Sequence, residues 1–323
     1  MEFEKLMSGL KAGNRHSVIA VAAAGDEAVL KAVAEARERG IADAILCGDK
    51  GEIESIAENA DIRLSDFEIF PADDSVAAAR AAVSLVRGGK ANMLMKGQVQ
   101  TADLLRAVLD KESGLRGRPG GSGGSGGPSG TGGMGGPGDA LLSHVAVVDS
   151  PILNRAIIIT DGAMVPYPSL KNKVSIVENA VRAAKGLGVE TPKVAPIAAV
   201  EVVNPDMPAT LDAAALTVMN LRGQIRGCII DGPLAMDLAI SRDAARHKKI
   251  DSPVAGEADI LLFHNIEAAN SVAKTFTNAG KSIFAGIVMG ASAPIVLTSR
   301  SDSDQSKLYS IACAAMIGDF LVD

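Results

Sequence analysis

The chain is predicted to fold as an α/β protein, with a parallel sheet sandwiched by helices. Two observations carry that expectation. Short apolar runs alternate with segments of helical periodicity along almost the whole length. Nearly all of the apolar runs also end in Gly, Asp or Asn, the residues that turn a strand into a loop or cap the next helix. At 323 residues the chain is long enough for about two ordinary domains.

The elements follow in order. "SVIAVAAAG" reads as the first strand, and "DEAVLKAVAEARERG" as a helix closed by Gly40. "ADAILCG", "ANMLMKG", "HVAVVDS", "AIIITDG", "KVAPIAAV", "GCIIDG", "DILLFHN" and "SIFAGIVMG" repeat the strand type, and "FAGIVMGASAPIV" reads as buried strand throughout. Residues 116–140, "RGRPGGSGGSGGPSGTGGMGGPGDA", break the pattern and read as a flexible coil, a solvated loop or inserted linker. This run does not come straight out of a strand to open a helix, so it does not match a dinucleotide or P-loop glycine motif. In an open α/β sheet, ligands gather beyond the carboxyl ends of the strands, and that is where chemistry is sought.

Composition excludes several classes. With 47% hydrophobic and 22% charged residues, the sequence is neither disordered nor membrane-spanning. A net charge of −6, no Trp and two Tyr argue against a nucleic-acid partner. The N-terminal "MEFEKLMSGLKAG" lacks the basic-then-apolar order of a secretory signal, so a cytoplasmic location is expected. Cys47, Cys228 and Cys313 lie in or beside apolar elements with no CxxC pair, and they read as buried thiols. No metal site is expected. A nicotinamide dehydrogenase is disfavoured for want of the glycine fingerprint with its downstream acid.

Chemistry-bearing residues concentrate at three joints. In "LTSRSDSDQSKLYS" a strand gives way to a helix expected to begin near Asp302 or Ser303, both good N-caps, with Asp304 in its first turn. Arg300 stands beside the unpaired N–H groups of that helix start, and together with Ser299 it suits a phosphate or a developing oxyanion. "MLMKGQVQTADLLRAVLDKE" runs from a strand through Lys96 and Gly97 into a helix expected to be capped by Thr101. Spacing alone gives Arg106 on that helix to surface ion pairs, with Asp103 three residues before it and Asp110 four after. "IIDGPLAMDLAIS" and "DSPVAGEADILLFHNIEAAN" place Asp231, and His264 with Asn265, at strand ends, where general-base or turn and cap roles are open. His16, His144 and His247 are scattered singly.

The segments "LMKGQVQTADLLRAVLDKESGLR", "LSHVAVVDSP", "AAVEVVNPDMPATLDAAAL", "GQIRGCIIDGPLAMDLAIS", "IDSPVAGEADILL" and "APIVLTSRSDS" together resemble the phosphate acetyl/butyryltransferase family, and its butyryl branch more than its acetyl branch. The resemblance covers nearly the whole chain apart from the glycine-rich insertion. It implies two doubly wound α/β/α domains separated by a cleft: 1–115 with 286–323 as the first, 141–285 as the second, and 116–140 inserted. It implies conversion of a short-chain acyl-CoA, butyryl-CoA favoured, and phosphate to acyl phosphate and CoA, with the acetyl reaction as alternative. Coenzyme A is then substrate and product, no cofactor is tightly bound, and a homodimer or larger homo-oligomer is expected.

Carried over residue by residue, the resemblance assigns catalysis to Ser299, Arg300 and Arg106. It reverses the ion-pair reading of Arg106. Substrate binding falls to Thr101, Lys96, Gly97, Asp302, Ser306 and Asp231. The chain departs from the acetyl branch at Ser306, which stands where that branch has an aspartate proposed as base. Asp302 or Asp304 could substitute, or Arg300 could lower the thiol pKa with no base. His264, Asn265 and Ala269 stand where relatives carry Pro, Asp and Gly. A non-catalytic module that binds acyl-CoA or acyl phosphate is the alternative of another class.

Overall fold

The computed structural model describes residues 17–116, 141–299 and 302–322. Most of the glycine-rich stretch, Arg300 and Ser301 therefore lie outside the described residues. The described residues up to 116 and from 284 onward form one compact unit, and those from 141 to 283 form another.

The first unit opens with β1 (Val18–Ala22), the helix Glu27–Glu38, β2 (Asp43–Gly48), the helix Lys50–Asn59, β3 (Glu68–Pro71), the helix Ser75–Arg87, β4 (Met93–Lys96) and the helix Thr101–Val108. The second comprises the hairpin β5 (Ser143–Ser150) and β6 (Arg155–Thr160), the helix Leu170–Gly186, β7 (Lys193–Pro196), the helix Pro208–Leu221, β8 (Ile229–Ile230), β9 (Ile260–Leu262) and the helix Ile266–Asn278. The chain returns to the first unit through β10 (Ile283–Met289), β11 (Ile295–Val296) and the helix Asp304–Val322.

In the first unit the strand order is β3-β2-β1-β4-β11-β10, parallel except that β10 runs against β11. The apolar run read as one strand is thus two strands. Gly290 adopts φ +106°, a left-handed conformation that β-branched residues avoid, and the chain reverses between it and Pro294. The reversal lets β11 lie parallel to β4, with Ile295 opposite Leu94 and Val296 opposite Met95.

Aspartates start the helices that follow β1, β2 and β3. Asp26, Asp49 and Asp74 each accept a backbone N–H in the next turn at 2.7–2.9 Å, satisfying donors that a helix start leaves unpaired. The core is built on β1, β4 and β11, whose apolar side chains are buried except for the half-buried Val18. Across them lies the helix Asp304–Val322, which buries Leu308, Tyr309, Ile311, Ala312, Cys313, Ala315 and Ile317 and packs on the helix Glu27–Glu38. Each large aliphatic side chain buried here contributes roughly 1.5–3 kcal/mol, so the C-terminal helix is part of the first unit's core.

In the second unit the order is β5-β6-β9-β7-β8. β5 and β6 are antiparallel and the remaining pairs parallel, a second departure from the all-parallel expectation. The strand order reverses at β9, because the chain goes from β6 past that position to β7 and β8 before coming back. Among the described residues no helix is long and apolar enough to cross a membrane.

Candidate active site

The carboxyl edge of the first unit gathers most of the candidate residues. From β1 the chain goes outward through β2 and β3, then returns to β4 on the other side of β1. A crevice opens at such a switch point, between strands whose connections leave in opposite directions. Ala22 pairs with Lys96 across β1 and β4, and Met95 with Val296 across β4 and β11. The residues that follow, 23–25, 97–100 and 297–299, therefore emerge side by side.

The first two of these loops are wedged together. The Gly97 N–H donates to the Ala22 carbonyl at 2.9 Å and the Gln98 N–H to that of Ala23 at 2.7 Å. A Cβ on Gly97 would overlap the Ala23 carbonyl oxygen and stand 2.8 Å from that of Ala22, so only glycine fits. Lys96 is half-buried, with Nζ donating to the Gly97 carbonyl at 3.2 Å.

Thr101 does not cap the next helix. The wedge carries the chain extended through Gln100, which becomes the N-cap at φ −66° and ψ 138° without a side-chain hydrogen bond, and Thr101 is the exposed first helical residue. Arg106 lies further along the same helix on its solvent face, ion-paired with Asp103 as spacing alone predicts.

The third loop is closed on itself. The Ser299 N–H donates to Asp302 Oδ2 at 2.7 Å, and the Asp302 N–H donates back to the Ser299 carbonyl at 3.1 Å. Ser303 is the cap: its Oγ accepts the Ser306 N–H at 3.2 Å and donates to Ser306 Oγ at the same distance. Ser306 is thus part of the capping arrangement, and Asp304 is exposed in the first turn. Arg300, the partner expected for Ser299, lies outside the described residues.

Lys307 is a residue the sequence reading missed. It is 3% exposed, and its Nζ donates to the Asp302 carbonyl at 2.6 Å, tying the helix to the Ser299 loop from below. It sits beside Leu308 at the head of an apolar helix, where a lysine ordinarily reads as solvent-facing.

Asp231 belongs to the second unit. It follows β8, is half-buried, and precedes the cis Gly232–Pro233 bond that leads to the helix Met236–Ile240. Asn265 caps the helix Ile266–Asn278 by accepting the Ala268 N–H at 3.0 Å. Beside it His264 receives the buried Lys173, a contact across 91 residues with no local signal. The Asp161 carboxyl, at the end of β6, accepts the N–H groups of Ala163, Met164 and Val165 at 3.0–3.2 Å, yet burial still raises its pKa above the usual carboxylate value.

Burial pushes the thiols of Cys47 and Cys228 up to about 12 and about 11, and that of Cys313 further still, so all three are neutral at physiological pH. Among the described residues no group of three or more His, Cys, Asp or Glu side chains could hold a metal ion.

A protein-family profile described as phosphate acetyl/butaryl transferase matches residues 3–80 and 134–315, well over half of the chain. The chain belongs to this family. The matched segments contain Asp231, Ser299, Arg300, Asp302 and Ser306, whereas Lys96, Gly97, Thr101 and Arg106 fall between them. The chain is 50% identical to phosphate butyryltransferase of Clostridium acetobutylicum over 299 residues, 93% of this chain and 92% of that one. It is 40% identical to phosphate acetyltransferase of Thermotoga maritima over 316 residues, 98% and 99% of the two chains. A crystal structure of a branched-chain phosphotransacylase from Enterococcus faecalis V583 superposes with a TM-score of 0.78 at 31% identity, covering 94% of this chain and 99% of that one. The family is one of acyltransferases, and its α/β architecture is the one seen here.

Proposed function

We propose that the chain transfers a short acyl group, butyryl in preference to acetyl, from its CoA thioester to inorganic phosphate. The observation that carries the preference is the higher identity to the butyryl enzyme of Clostridium acetobutylicum than to the acetyl enzyme of Thermotoga maritima, each over more than nine-tenths of the chain.

In this reading an oxygen of phosphate attacks the thioester carbonyl, the carbonyl oxygen takes up the electron pair, and collapse of that tetrahedral species expels CoA as a thiolate. Inorganic phosphate is already anionic at neutral pH, so attack in this direction needs no base. That agrees with a serine at position 306 bound up in the helix cap. Arg106 and Arg300 bind phosphate by charge-assisted, bidentate pairing. Ser299 donates to the developing oxyanion, a preorganised contact worth roughly 3–4 kcal/mol in such reactions. Arg300 also steadies the departing thiolate. Lys96 and Gly97 shape the floor, and Asp231 is assigned no step.

We further propose a homodimer or larger assembly. The helix Pro208–Leu221 exposes Leu211, Val218 and Leu221, and the preceding loop exposes Val202 and Val203, an apolar surface that association would cover. Light scattering coupled to gel filtration checks this, and a monomer at micromolar concentration would refute it.

The decisive experiment compares CoA release from acetyl-, propionyl-, butyryl- and isobutyryl-CoA in the presence of phosphate. Butyryl-CoA is expected to give the highest kcat/KM. Faster turnover of acetyl-CoA overturns the preference, faster isobutyryl turnover assigns branched chains instead, and no turnover of any thioester leaves the non-catalytic binding module.

A further inference from the structure

The C-terminal helix holds a positive charge at the end where a helix least favours one. Lys307 is the fourth residue of the helix Asp304–Val322. Its side chain turns back toward the helix start, as helical side chains do, and Nζ reaches the Asp302 carbonyl at 2.6 Å. The residue is 3% exposed. A helix start already presents the positive end of the peptide dipole and N–H groups without intrahelical partners. Ser303 Oγ takes up the N–H of Ser306 at 3.2 Å, and no acceptor among the described residues takes those of Asp304 and Gln305. Dipole and ammonium therefore add at one place.

Among the described residues no carboxylate forms an ion pair with Lys307. The Asp302 group that it meets is the backbone carbonyl, while the Asp302 carboxylate accepts the Ser299 N–H at 2.7 Å. Asp304 is exposed in the first turn and lies near Lys31 of the helix Glu27–Glu38, which is itself paired with Glu27 at 2.5 Å.

A buried ammonium needs an opposite charge or several acceptors to offset its lost hydration, and a single carbonyl is neither. Tying the helix to the Ser299 loop would need only a neutral N–H or O–H. The charge calls for an anion, and the fold offers a place for one. The segment follows β11 at the carboxyl edge of the sheet, beside the loops after β1 and β4, and all of these belong to the first unit.

We infer that Lys307 makes the start of the C-terminal helix a site for a phosphate group. The N–H groups of Asp304 and Gln305 receive it, and Lys307 stays buried beneath as a positioning residue that acts through its field. The inference rests on the acyl-transfer reading for the source of that group, inorganic phosphate. A phosphate of CoA has the same chemistry, and the test separates the two.

The test uses the full chain and the variants Lys307→Met and Lys307→Arg. Methionine follows the lysine stem in shape and carries no charge. Without phosphate, Lys307→Met is expected to unfold at the parent's urea midpoint or above it, because an apolar side chain of similar volume in place of a buried charge is neutral or stabilising. A midpoint clearly below the parent's makes the ammonium a structural tie and overturns the inference. Calorimetric titration is expected to show about tenfold weaker binding of inorganic phosphate to Lys307→Met, the scale of one charge acting at a distance through protein. The KM for phosphate in turnover is expected to rise with it. A loss confined to inorganic phosphate assigns the co-substrate, a loss confined to CoA assigns one of its phosphate groups, and unchanged affinity for both overturns the inference. Lys307→Arg keeps the charge and is expected to bind close to the parent's affinity. An arginine variant that unfolds at the parent's midpoint yet binds as weakly as methionine overturns the role of charge; if arginine lowers the midpoint, the paired measurements on Lys307→Met decide. Phosphate binding that depends on Lys307, without turnover of any thioester, refutes acyl transfer and supports the site. Turnover with phosphate and CoA affinities independent of Lys307 does the reverse.

Discussion

Gly97 and Ala23 meet so closely at the carboxyl ends of β4 and β1 that a single methyl group on Gly97 would overlap the Ala23 carbonyl oxygen. Backbone cannot swing aside as a side chain does. Gly97→Ala must therefore push apart two strands that are hydrogen-bonded in register at Ala22 and Lys96. The expected cost is roughly 1–3 kcal/mol, the usual range for overpacking a close contact, with a loss of activity because Lys96 and the start of the Arg106 helix move as well. Urea unfolding and a CoA-release assay on one preparation check this. A variant with the parent's midpoint and rate would contradict the wedge.

The Ser299 loop is held at two points, by the Asp302 carboxylate on the Ser299 N–H and by Lys307 on the Asp302 carbonyl. Both restraints serve one geometry. Asp302→Ala is expected to lower kcat about tenfold, because a donor displaced from the oxyanion forfeits part of the few kcal/mol it supplies. Adding Lys307→Met to it should cost less than the two single losses combined, since contacting residues on one network do not act additively. Strict additivity of the two in kcat would place Lys307 outside the restraint.

Arg106 separates stability from activity. Its ion pair with Asp103 joins a side chain 74% exposed to one 27% exposed, and solvated pairs of that kind contribute well under about 1 kcal/mol. Arg106→Ala should therefore leave thermal unfolding almost unchanged. If the guanidinium binds phosphate during turnover, the same variant should lose about 100-fold or more in kcat/KM for phosphate, as expected for a charge-assisted contact. An active Arg106→Ala enzyme would return the residue to the surface role that its spacing suggests.

The alternation of apolar runs and helical segments made the α/β class legible, because burial between helices requires it. Strand direction was not legible. "FAGIVMGASAPIV" reads as one run since only small residues and Pro294 interrupt its apolar residues, and periodicity carries no sign for a reversal. Strand Glu68–Pro71 escaped notice because it lies at the sheet edge with Ile69 as its half-buried apolar contact, so no hydrophobic pattern marks it. At the site, Ser303 announces its cap through local chemistry alone, as hydroxyls before helices do. Lys307 and the Lys173–His264 contact are different. One hides a buried amine in an apolar helix, and the other joins residues 91 positions apart, which only the folded register brings together.

His144 makes stability depend on pH with a defined sign. It is 6% exposed on β5, and burial, followed by the Lys274 charge, lowers its pKa from 6.5 to about 4. The unfolded chain takes up a proton near pH 6.5 that the folded protein refuses until about pH 4. Across that window the unfolded state binds more protons, so stability falls as pH falls, by up to about 3 kcal/mol from this residue, and levels off below it. His264 adds a contribution of the same sign just below pH 6.5. Asp161, whose carboxyl is raised, works in the opposite sense above the ordinary carboxylate pKa. Comparing the parent with His144→Leu isolates the histidine, because the other two groups are common to both. Urea unfolding at pH 4.5 and 7.0 should show a smaller loss of stability in the variant, whatever its absolute value. Equal losses in the two proteins would show that His144 is not the group refusing the proton.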